Sequence, residues 1–211
     1  MPLGLKIAVF ASGRGSNFQS LYNALREDAE KARIVVVISN NSDAGALAVA
    51  RSLHLPAIHL SQKQYSSHAE FVEAVLQTLE SFQVNLIVLA GYMKKIDAAI
   101  IGKYRNRIIN IHPALLPAFG GQGMYGIHVH EAVIASGARA SGATVHIVDE
   151  EFDHGKIILQ ETVPVEPNDT PEILAERVLK AEHKLLPRVV RLFAENKIEI
   201  INGEVHIRKP D

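Results

Sequence analysis

Short runs of β-branched apolar residues alternate with segments of helical periodicity along the first 111 residues, and this alternation limits the possible folds. Five runs predict strands, namely Leu5–Ala11, Arg33–Ser39, Ala57–Leu60, Val84–Ala90 and Arg107–Ile111. Most of them are apolar on both faces, as a parallel sheet covered by helices requires. The segments between them have the length of βαβ crossovers. We therefore expect an α/β fold with an open, doubly wound, mostly parallel sheet and helices on both faces.

The second half of the chain predicts antiparallel pairs and one long helix. The runs Ala143–Val148 and Ile157–Val165 are separated by a short polar segment, which indicates a hairpin-like pair that extends the sheet. A helix should follow Thr170-Pro171, because Thr is a good N-cap and Pro suits the first helical position. Asn202-Gly203, between two apolar runs, predicts a terminal hairpin. No repeat or linker is apparent, so we expect one domain over residues 1–211.

Two Ser-x-x-Glu/Gln patterns predict where earlier helices begin. Ser16–Gln19 and Ser67–Glu70 both fit a capping box, in which the first side chain accepts from the backbone three residues later. The second pattern precedes apolar residues at helical spacing. Each therefore predicts a helix start directly after a turn.

Composition excludes several classes of protein. With 22 Lys and Arg against 23 Asp and Glu, the net charge of −1 disfavours general nucleic-acid binding. The absence of cysteine excludes disulfides, thiolate nucleophiles and Cys-based zinc sites. The longest stretch without charged residues, Ile108–His130, contains Pro, Gly and His and does not predict a membrane helix. Leu5–Ala11 is too short for a signal peptide, so we expect a cytoplasmic protein.

Ligands of open α/β sheets bind beyond the carboxyl ends of the strands, and four loops are expected there. The first, Ser12–Asn17, is rich in glycine but matches neither a Walker A motif nor Gly-x-Gly-x-x-Gly, because Phe18 replaces the third glycine. It leads into a helix N-terminus, where backbone N–H groups suit one phosphate. The loop alone leaves phosphate binding and an ordinary tight turn about equally open.

A titratable group and an amide end the fifth predicted strand. Asn110 and His112 are two residues apart, so their side chains share one side of the strand and can together hold an oxyanion and deliver a proton. Asp153, after a later strand, would stabilise the imidazolium and raise the pKa of His112 above its usual value. Taken alone, His112 is better explained as a strand-end His bonded to backbone, and Asp153 as an Asx-turn residue.

The remaining histidines carry little signal of their own. His128-Val129-His130 could form a metal pair, but the sequence provides no cysteine and only Glu131 as a neighbouring carboxylate. A helix start or a cleft wall is the preferred interpretation of that segment. His54, His59, His146 and His206 are expected to be structural or exposed. We expect no metal.

These segments together resemble the phosphoribosylglycinamide formyltransferase family, folate-dependent enzymes of purine biosynthesis. The resemblance covers nearly the whole chain. It is carried by Ser12–Asn17, Leu89–Met93, Asn110–Pro117, Asp153–Gly155 with Ile157–Gln160, and Glu182-His183 followed by Pro187. Asn-x-His-Pro-x-Leu-Leu-Pro is shared with the wider group of formyltransferases and formyl-folate hydrolases. The first loop and the compact length favour the phosphoribosylglycinamide branch.

The resemblance implies the formyltransferase fold, small-molecule substrates and no nucleic-acid or membrane partner. It implies transfer of formyl from the cosubstrate 10-formyltetrahydrofolate to the amine of 5-phosphoribosylglycinamide, a step of de novo purine biosynthesis and one-carbon metabolism. The implied catalytic residues are Asn110, His112 and Asp153. The implied substrate-binding residues are Gly15, Ser16, Asn17 and Glu182. The implied folate-binding residues are His68, Met93, Lys94, Lys95, Ile96, Asn110, Asp149, Glu150, Glu151, Phe152 and Asp153.

The chain departs from the family pattern at three places. His68 stands where many relatives have Arg, Lys156 where they often have Pro or Gln, and the glycine-rich loop Phe119–Ile127 is longer than in many of them.

Three other functions stay open at this stage. A formyl-folate hydrolase would carry an N-terminal regulatory domain, for which a first strand at Leu5 leaves no room. Methionyl-tRNA formyltransferase would need a C-terminal RNA-binding domain and more positive charge. A catalytically silent phosphosugar-binding module would not require Asn110, His112 and Asp153 together.

Overall fold

The computed structural model describes residues 4–208, in which strands and helices alternate as the sequence predicts. Seven strands form one sheet in the order β3-β2-β1-β4-β5-β6-β7. They are β1 (Leu5–Phe10), β2 (Ala32–Ser39), β3 (Ala57–His59), β4 (Leu86–Leu89), β5 (Ile108–His112), β6 (Ala140–Ile147) and β7 (Ile157–Pro164). Strand β1 pairs in parallel with β2 and β4, and β2 with β3, whereas β6 and β7 are antiparallel. The predicted fold class is confirmed.

Six α-helices are present in the described residues. They are α1 (Ser16–Leu25), α2 (Gly45–Ser52), α3 (His68–Ser81), α4 (Ala98–Lys103), α5 (Ile127–Ala135) and α6 (Pro171–Ala194). Helix α6 contacts β6 and β7, as its apolar periodicity predicts. A separate two-stranded sheet, β8 (Ile198–Ile201) with β9 (Glu204–Ile207), confirms the terminal hairpin. None of these helices combines the length and the apolar character that a membrane crossing needs.

The helix starts follow the sequence with one exception. Ser67 caps α3 by accepting from the Glu70 backbone N–H at 3.2 Å, and Thr170 caps α6 by accepting from that of Ile173 at 3.3 Å. The prediction for Ser16 is wrong, because the N-cap of α1 is Gly15 in a left-handed conformation (φ 83°), with no side-chain cap. Ser16 is therefore the first helical residue, and its backbone N–H lies in the open first turn.

The chain divides into two compact units between Ile109 and Asn110. The first unit contains β1–β4 and α1–α4, and the second contains β6–β9, α5 and α6. Each has fully buried apolar residues, such as Ile7, Phe18 and Leu47 in the first and Val133, Leu174 and Val189 in the second. A single domain over residues 1–211 stays a prediction.

Candidate active site

In the first unit, Ser12 ties together three loops that follow neighbouring strands. Its hydroxyl donates to Asn40 Oδ1 at 2.5 Å, beyond β2, and accepts from the Met93 backbone N–H at 2.8 Å, beyond β4. Its own backbone N–H donates to the Gly91 carbonyl at 2.9 Å. The Met93 side chain is 47% exposed, and Lys94 and Lys95 follow it on the surface. The predicted ligand loops therefore lie at one sheet edge, with backbone groups held in place by a serine.

Gly15 is required by both conformation and space. Its φ of +83° lies in the left-handed region, and a Cβ there would lie 2.7 Å from the Cα and 2.8 Å from the Cβ of Ala46 in α2. The glycine therefore lets the loop pack against α2 and turn directly into α1. Asn17, in the first turn of α1, is buried, whereas Ser16 is half-buried.

His68, a departure from the family pattern, is held by two side chains of the same unit. It is the first residue of α3, and its Nε2 lies 2.7 Å from Asp97 Oδ2, while its Nδ1 lies 3.3 Å from Gln62 Oε1. The His68 hydrogen bond, followed by that of the Ala99 backbone N–H, holds the pKa of Asp97 below its usual value. The imidazole is still about half exposed, so one face stays open to solvent.

The second unit brings Asn110, His112 and Asp153 together. His112 is 3% exposed, and its Nδ1 lies 3.4 Å from Asp153 Oδ2. Asn110 Nδ2 donates to Asp153 Oδ1 at 3.3 Å and lies 3.1 Å from His146 Nε2. Asp153 occupies a left-handed conformation (φ 54°) in the turn between β6 and β7. The three predicted catalytic side chains thus form one cluster, although two come from β5 and the third comes from the turn after β6.

Burial sets the protonation of this cluster. Desolvation lowers the pKa of His112 and outweighs the opposite effects of Asp153 and of the Phe119 carbonyl. The expectation that Asp153 lifts this pKa above its usual value is therefore wrong for the ligand-free protein. Desolvation alone would raise the pKa of Asp153, but the His146 imidazole, the His112 charge and the Gly121 N–H hold it below its usual value. Near neutral pH the pair is a neutral imidazole beside a carboxylate.

His146 belongs to the cluster, although the sequence did not single it out. It is 2% exposed, its Nδ1 lies 3.0 Å from the Ile147 carbonyl, and its Nε2 lies 3.6 Å from Asp153 Oδ1. Because a carbonyl only accepts, Nδ1 carries a proton in this arrangement, and Nε2 faces both Asn110 Nδ2 and Asp153 Oδ1. The pairing of β6 with β7 shifts register between Val145 and His146, which helps to aim the ring.

Thr144 and Gln160 fix the segment that follows β5. The Thr144 hydroxyl donates to the Ala114 carbonyl at 2.6 Å and accepts from the Leu116 N–H at 3.1 Å. Gln160 Nε2 donates to the Leu116 carbonyl and to Thr144 Oγ1, each at 2.9 Å. The Thr144–His146 spacing of two residues on one strand could have indicated this shared face, but no sequence signal named its partners.

The turn between β6 and β7 presents the predicted folate-side residues. Asp149 Oδ2 pairs with His154 Nδ1 at 2.8 Å, and its Oδ1 accepts from the Glu151 N–H at 3.0 Å. Phe152 is 46% exposed, and Glu150 and Glu151 are also exposed. Gly155 permits the turn, because a Cβ there would lie 1.7 Å from the Ile147 carbonyl oxygen. Elsewhere in this unit, Glu182 is buried on α6.

The histidine pair His128 and His130 lies at the start of α5, which confirms a helix start. His128 is exposed and pairs with Glu131 Oε2 at 2.9 Å. His130 is 4% exposed, and its Nδ1 has no hydrogen-bond partner within residues 4–208. In that same range, no three His, Cys, Asp or Glu side chains are grouped as metal ligands would be.

Comparison with known proteins assigns the chain to a family. Residues 5–190 match the family described as formyl transferase. The chain belongs to this family. The phosphoribosylglycinamide formyltransferase of Bacillus subtilis is 38% identical over 186 residues, which are 88% of this chain and 93% of the relative. The chloroplastic enzyme of the same name from Vigna unguiculata is 45% identical over 92% of this chain.

The solved structures agree with the fold. Glycinamide ribonucleotide transformylase 1 from Symbiobacterium toebii has a TM-score of 0.91 and 37% identity, over 99% of this chain and 96% of that one. The chain spans 62% of the length of the Vigna relative, so that relative contains segments with no counterpart in these 211 residues. The expected family and its fold are confirmed.

Proposed function

We propose that the protein transfers a formyl group from 10-formyltetrahydrofolate to the amine of 5-phosphoribosylglycinamide. The products are formylglycinamide ribonucleotide and tetrahydrofolate. The single observation that carries the proposal is the buried Asn110–His112–Asp153 cluster, in a chain that matches the formyl transferase family over residues 5–190. The names of the relatives from Bacillus subtilis and Vigna unguiculata support the choice of amine.

The chemistry follows from the protonation of the cluster. The substrate amine attacks the formyl carbon, the carbonyl becomes a tetrahedral oxyanion, and the amine nitrogen becomes positively charged. Neutral His112 accepts a proton from that nitrogen, and the Asp153 carboxylate at 3.4 Å stabilises the imidazolium. The imidazolium then protonates N10 of the folate as the C–N10 bond breaks. Electrons and protons balance without a covalent enzyme intermediate.

Asn110 is proposed to stabilise the oxyanion. Its amide hydrogens face His146 Nε2 at 3.1 Å and Asp153 Oδ1 at 3.3 Å in the ligand-free protein. Donation to the formyl oxygen therefore requires the release of one contact, and we propose that the longer one, to Asp153, is given up. A donor placed in a dry site is worth about 3–4 kcal/mol of transition-state stabilisation in comparable enzymes.

The ligand-binding roles belong to the same proposal. Gly15, Ser16 and Asn17 would hold the substrate phosphate, because α1 begins there and the positive end of a helix dipole stabilises an anion. Glu182 would face the amine side of the substrate. The folate would contact two loops and His68, through the residues Met93, Lys94, Lys95, Ile96, Asp149, Glu150, Glu151, Phe152 and Asp153. We also propose that the protein is located in the cytoplasm.

One assay tests the proposal against its alternatives. The purified protein is mixed with 10-formyl-folate and 5-phosphoribosylglycinamide, and the folate absorbance is followed together with released formate. We expect absorbance change that depends on the amine and yields no formate. Amine-independent formate release would indicate a hydrolase, formylation of methionyl-tRNA would indicate the tRNA enzyme, and phosphosugar binding without turnover would indicate a silent module.

A further inference from the structure

The backbone of Phe119–Gly121, here called the clasp, contacts both titratable members of the catalytic cluster. His112 Nε2 lies 2.8 Å from the Phe119 carbonyl oxygen, and the Gly121 N–H donates to Asp153 Oδ2 at 3.0 Å. A carbonyl oxygen only accepts, so His112 Nε2 carries a proton in this arrangement. Nδ1 is then the nitrogen of the neutral ring that holds a lone pair, 3.4 Å from Asp153.

Gly120 gives the clasp its close approach. A Cβ at residue 120 would lie 2.5 Å from Leu116 Cδ2 and 3.1 Å from Asp153 Cβ. Phe119 and Gly121 both have positive φ, 57° and 96°, which turns the Phe119 carbonyl and the Gly121 N–H towards their partners. Leu116 is 5% exposed and its backbone is held by Thr144 and Gln160, so the buried side chain has little room to move its Cδ2 away. A side chain at residue 120 would therefore force the buried Leu116 side chain, the clasp or Asp153 to move.

We propose that the clasp selects the Nε2–H tautomer of His112 and thereby makes Nδ1 the atom that exchanges the catalytic proton, with Gly120 as a positioning residue. The clasp forms the start of the glycine-rich loop Phe119–Ile127, and the proposal gives this part of the loop a role that its sequence does not indicate. The catalytic consequence rests on the proposed formyl transfer, whereas the tautomer is a property of the ligand-free protein. The two can therefore fail separately.

The groups around His112 make its tautomer depend on the clasp. Asp153 lies beside Nδ1, while His146 from β6 and His130 from α5 act on the ring electrostatically. Asp153 alone would favour a proton on Nδ1, because a carboxylate attracts an N–H donor. The Phe119 carbonyl is the contact that favours the proton on Nε2, so loss of the clasp should release the ring to the other tautomer.

The test is a pair of measurements on the intact protein. Long-range ¹H–¹⁵N NMR spectra of the ligand-free protein, recorded above the pKa of His112, report which nitrogen is protonated. The pH profiles of kcat and kcat/KM report the proton transfer. For Gly120→Ala we expect the Nδ1–H tautomer to appear and kcat at saturating substrates to fall by roughly 10²-fold, with smaller changes in both KM values.

Two control variants separate the clasp from general damage. Gln122→Ala changes an exposed residue of the same loop and should keep the wild-type tautomer and kcat. Val189→Ala truncates a fully buried side chain in α6 and provides a protein of reduced stability with an intact clasp. A Gly120→Ala protein whose tautomer and pH profile change, while those of Val189→Ala do not, supports the proposal.

The wild-type spectrum can overturn the proposal without any variant. If ligand-free His112 carries its proton on Nδ1, the clasp does not select the tautomer, whatever Gly120→Ala does. If Gly120→Ala folds and keeps the wild-type tautomer and pH profile, Gly120 is not a positioning residue. If formyl transfer itself is absent while the Nε2–H tautomer is found, the proposed function fails and the clasp stands.

Discussion

The loops joined by Ser12 and the cluster around His112 use polar groups in opposite ways. In the first, one half-buried serine holds backbone turns whose exposed groups are available to ligands. In the second, Asn110, His112, His146 and Asp153 are largely buried and bind one another. Binding an anionic ligand needs accessible backbone N–H groups, whereas proton transfer needs desolvated groups with shifted pKa values. The two regions should therefore respond differently to substitution.

The largest effect is expected in the buried cluster, from Asp153→Asn. Asn keeps the shape and tolerates the left-handed conformation at φ 54°, so the protein should fold. Loss of the charge removes the main contribution that raises the pKa of His112, which should fall further. We expect kcat to fall by roughly 10²–10⁴-fold, or about 3–5 kcal/mol. The measurements are the pH–rate profile and an NMR titration of His112.

Asp149→Asn is the matched control, because it changes a carboxylate of the same turn that pairs with His154. It should leave the His112 titration unchanged. A large rate loss in Asp153→Asn with an unaltered His112 titration would make Asp153 a water-positioning group and contradict the proposed proton transfer.

In the loops joined by Ser12, Gly15→Ala should lower both the stability of the protein and its affinity for phosphoribosylglycinamide. The left-handed φ and the approach to Ala46 predict a loss of roughly 1–3 kcal/mol in the free energy of unfolding. The larger Gly15→Val change should add to it. Because the α1 N–H groups would shift, affinity for phosphoribosylglycinamide should fall before affinity for folate does. Denaturant unfolding and binding of each ligand measure the two effects.

Gly102→Ala provides the control for Gly15→Ala. Gly102 lies in α4 with open space around its Cα, so Ala should be neutral or slightly stabilising. Equal losses of affinity for both ligands in Gly15→Ala would argue against a phosphate site in this loop.

Buried histidines also make the stability of the cluster depend on pH. Desolvation, followed by the nearby His112 charge, lowers the pKa of His130, and desolvation lowers that of His112. Below about pH 6.5 the unfolded chain binds protons that the folded protein resists, so the free energy of unfolding falls as the pH falls. Each such group contributes at most about 1.4 kcal/mol per pH unit. His130→Gln should reduce this slope below about pH 6.5.

The exposed His128→Gln variant serves as the reference for His130→Gln, since it removes a histidine of the same helix. Chemical denaturation at several pH values gives the slopes. An acid slope unchanged by His130→Gln would show that His130 is not held neutral in the folded protein.

The sequence predicted the positions of the strands better than it predicted the contacts within the buried cluster. Apolar runs, Gly15 and the Asn110–His112 spacing predicted the sheet and the edge at which we propose that ligands bind, because strand burial and side-chain alternation are local properties. Two expectations failed through tertiary effects. The close approach of Ala46 requires a glycine cap where Ser16 was expected, and burial lowers the pKa that Asp153 alone would raise. His146 and the clasp were missed because their partners are distant in sequence.

The smallest effect is expected from Lys94→Ala, in the loop beyond β4. Lys94 lies on the surface after Met93, whose backbone is held by Ser12 and not by the lysine side chain. Removal of an exposed ammonium should therefore raise the folate KM modestly, through a screened charge, and leave kcat nearly unchanged. Steady-state kinetics at two salt concentrations measure both, with Lys63→Ala, also exposed, as the control. A collapse of kcat at saturating folate would place a proton-transfer group in the exposed region. It would contradict the inference that the exposed loops bind ligands while the buried cluster transfers protons.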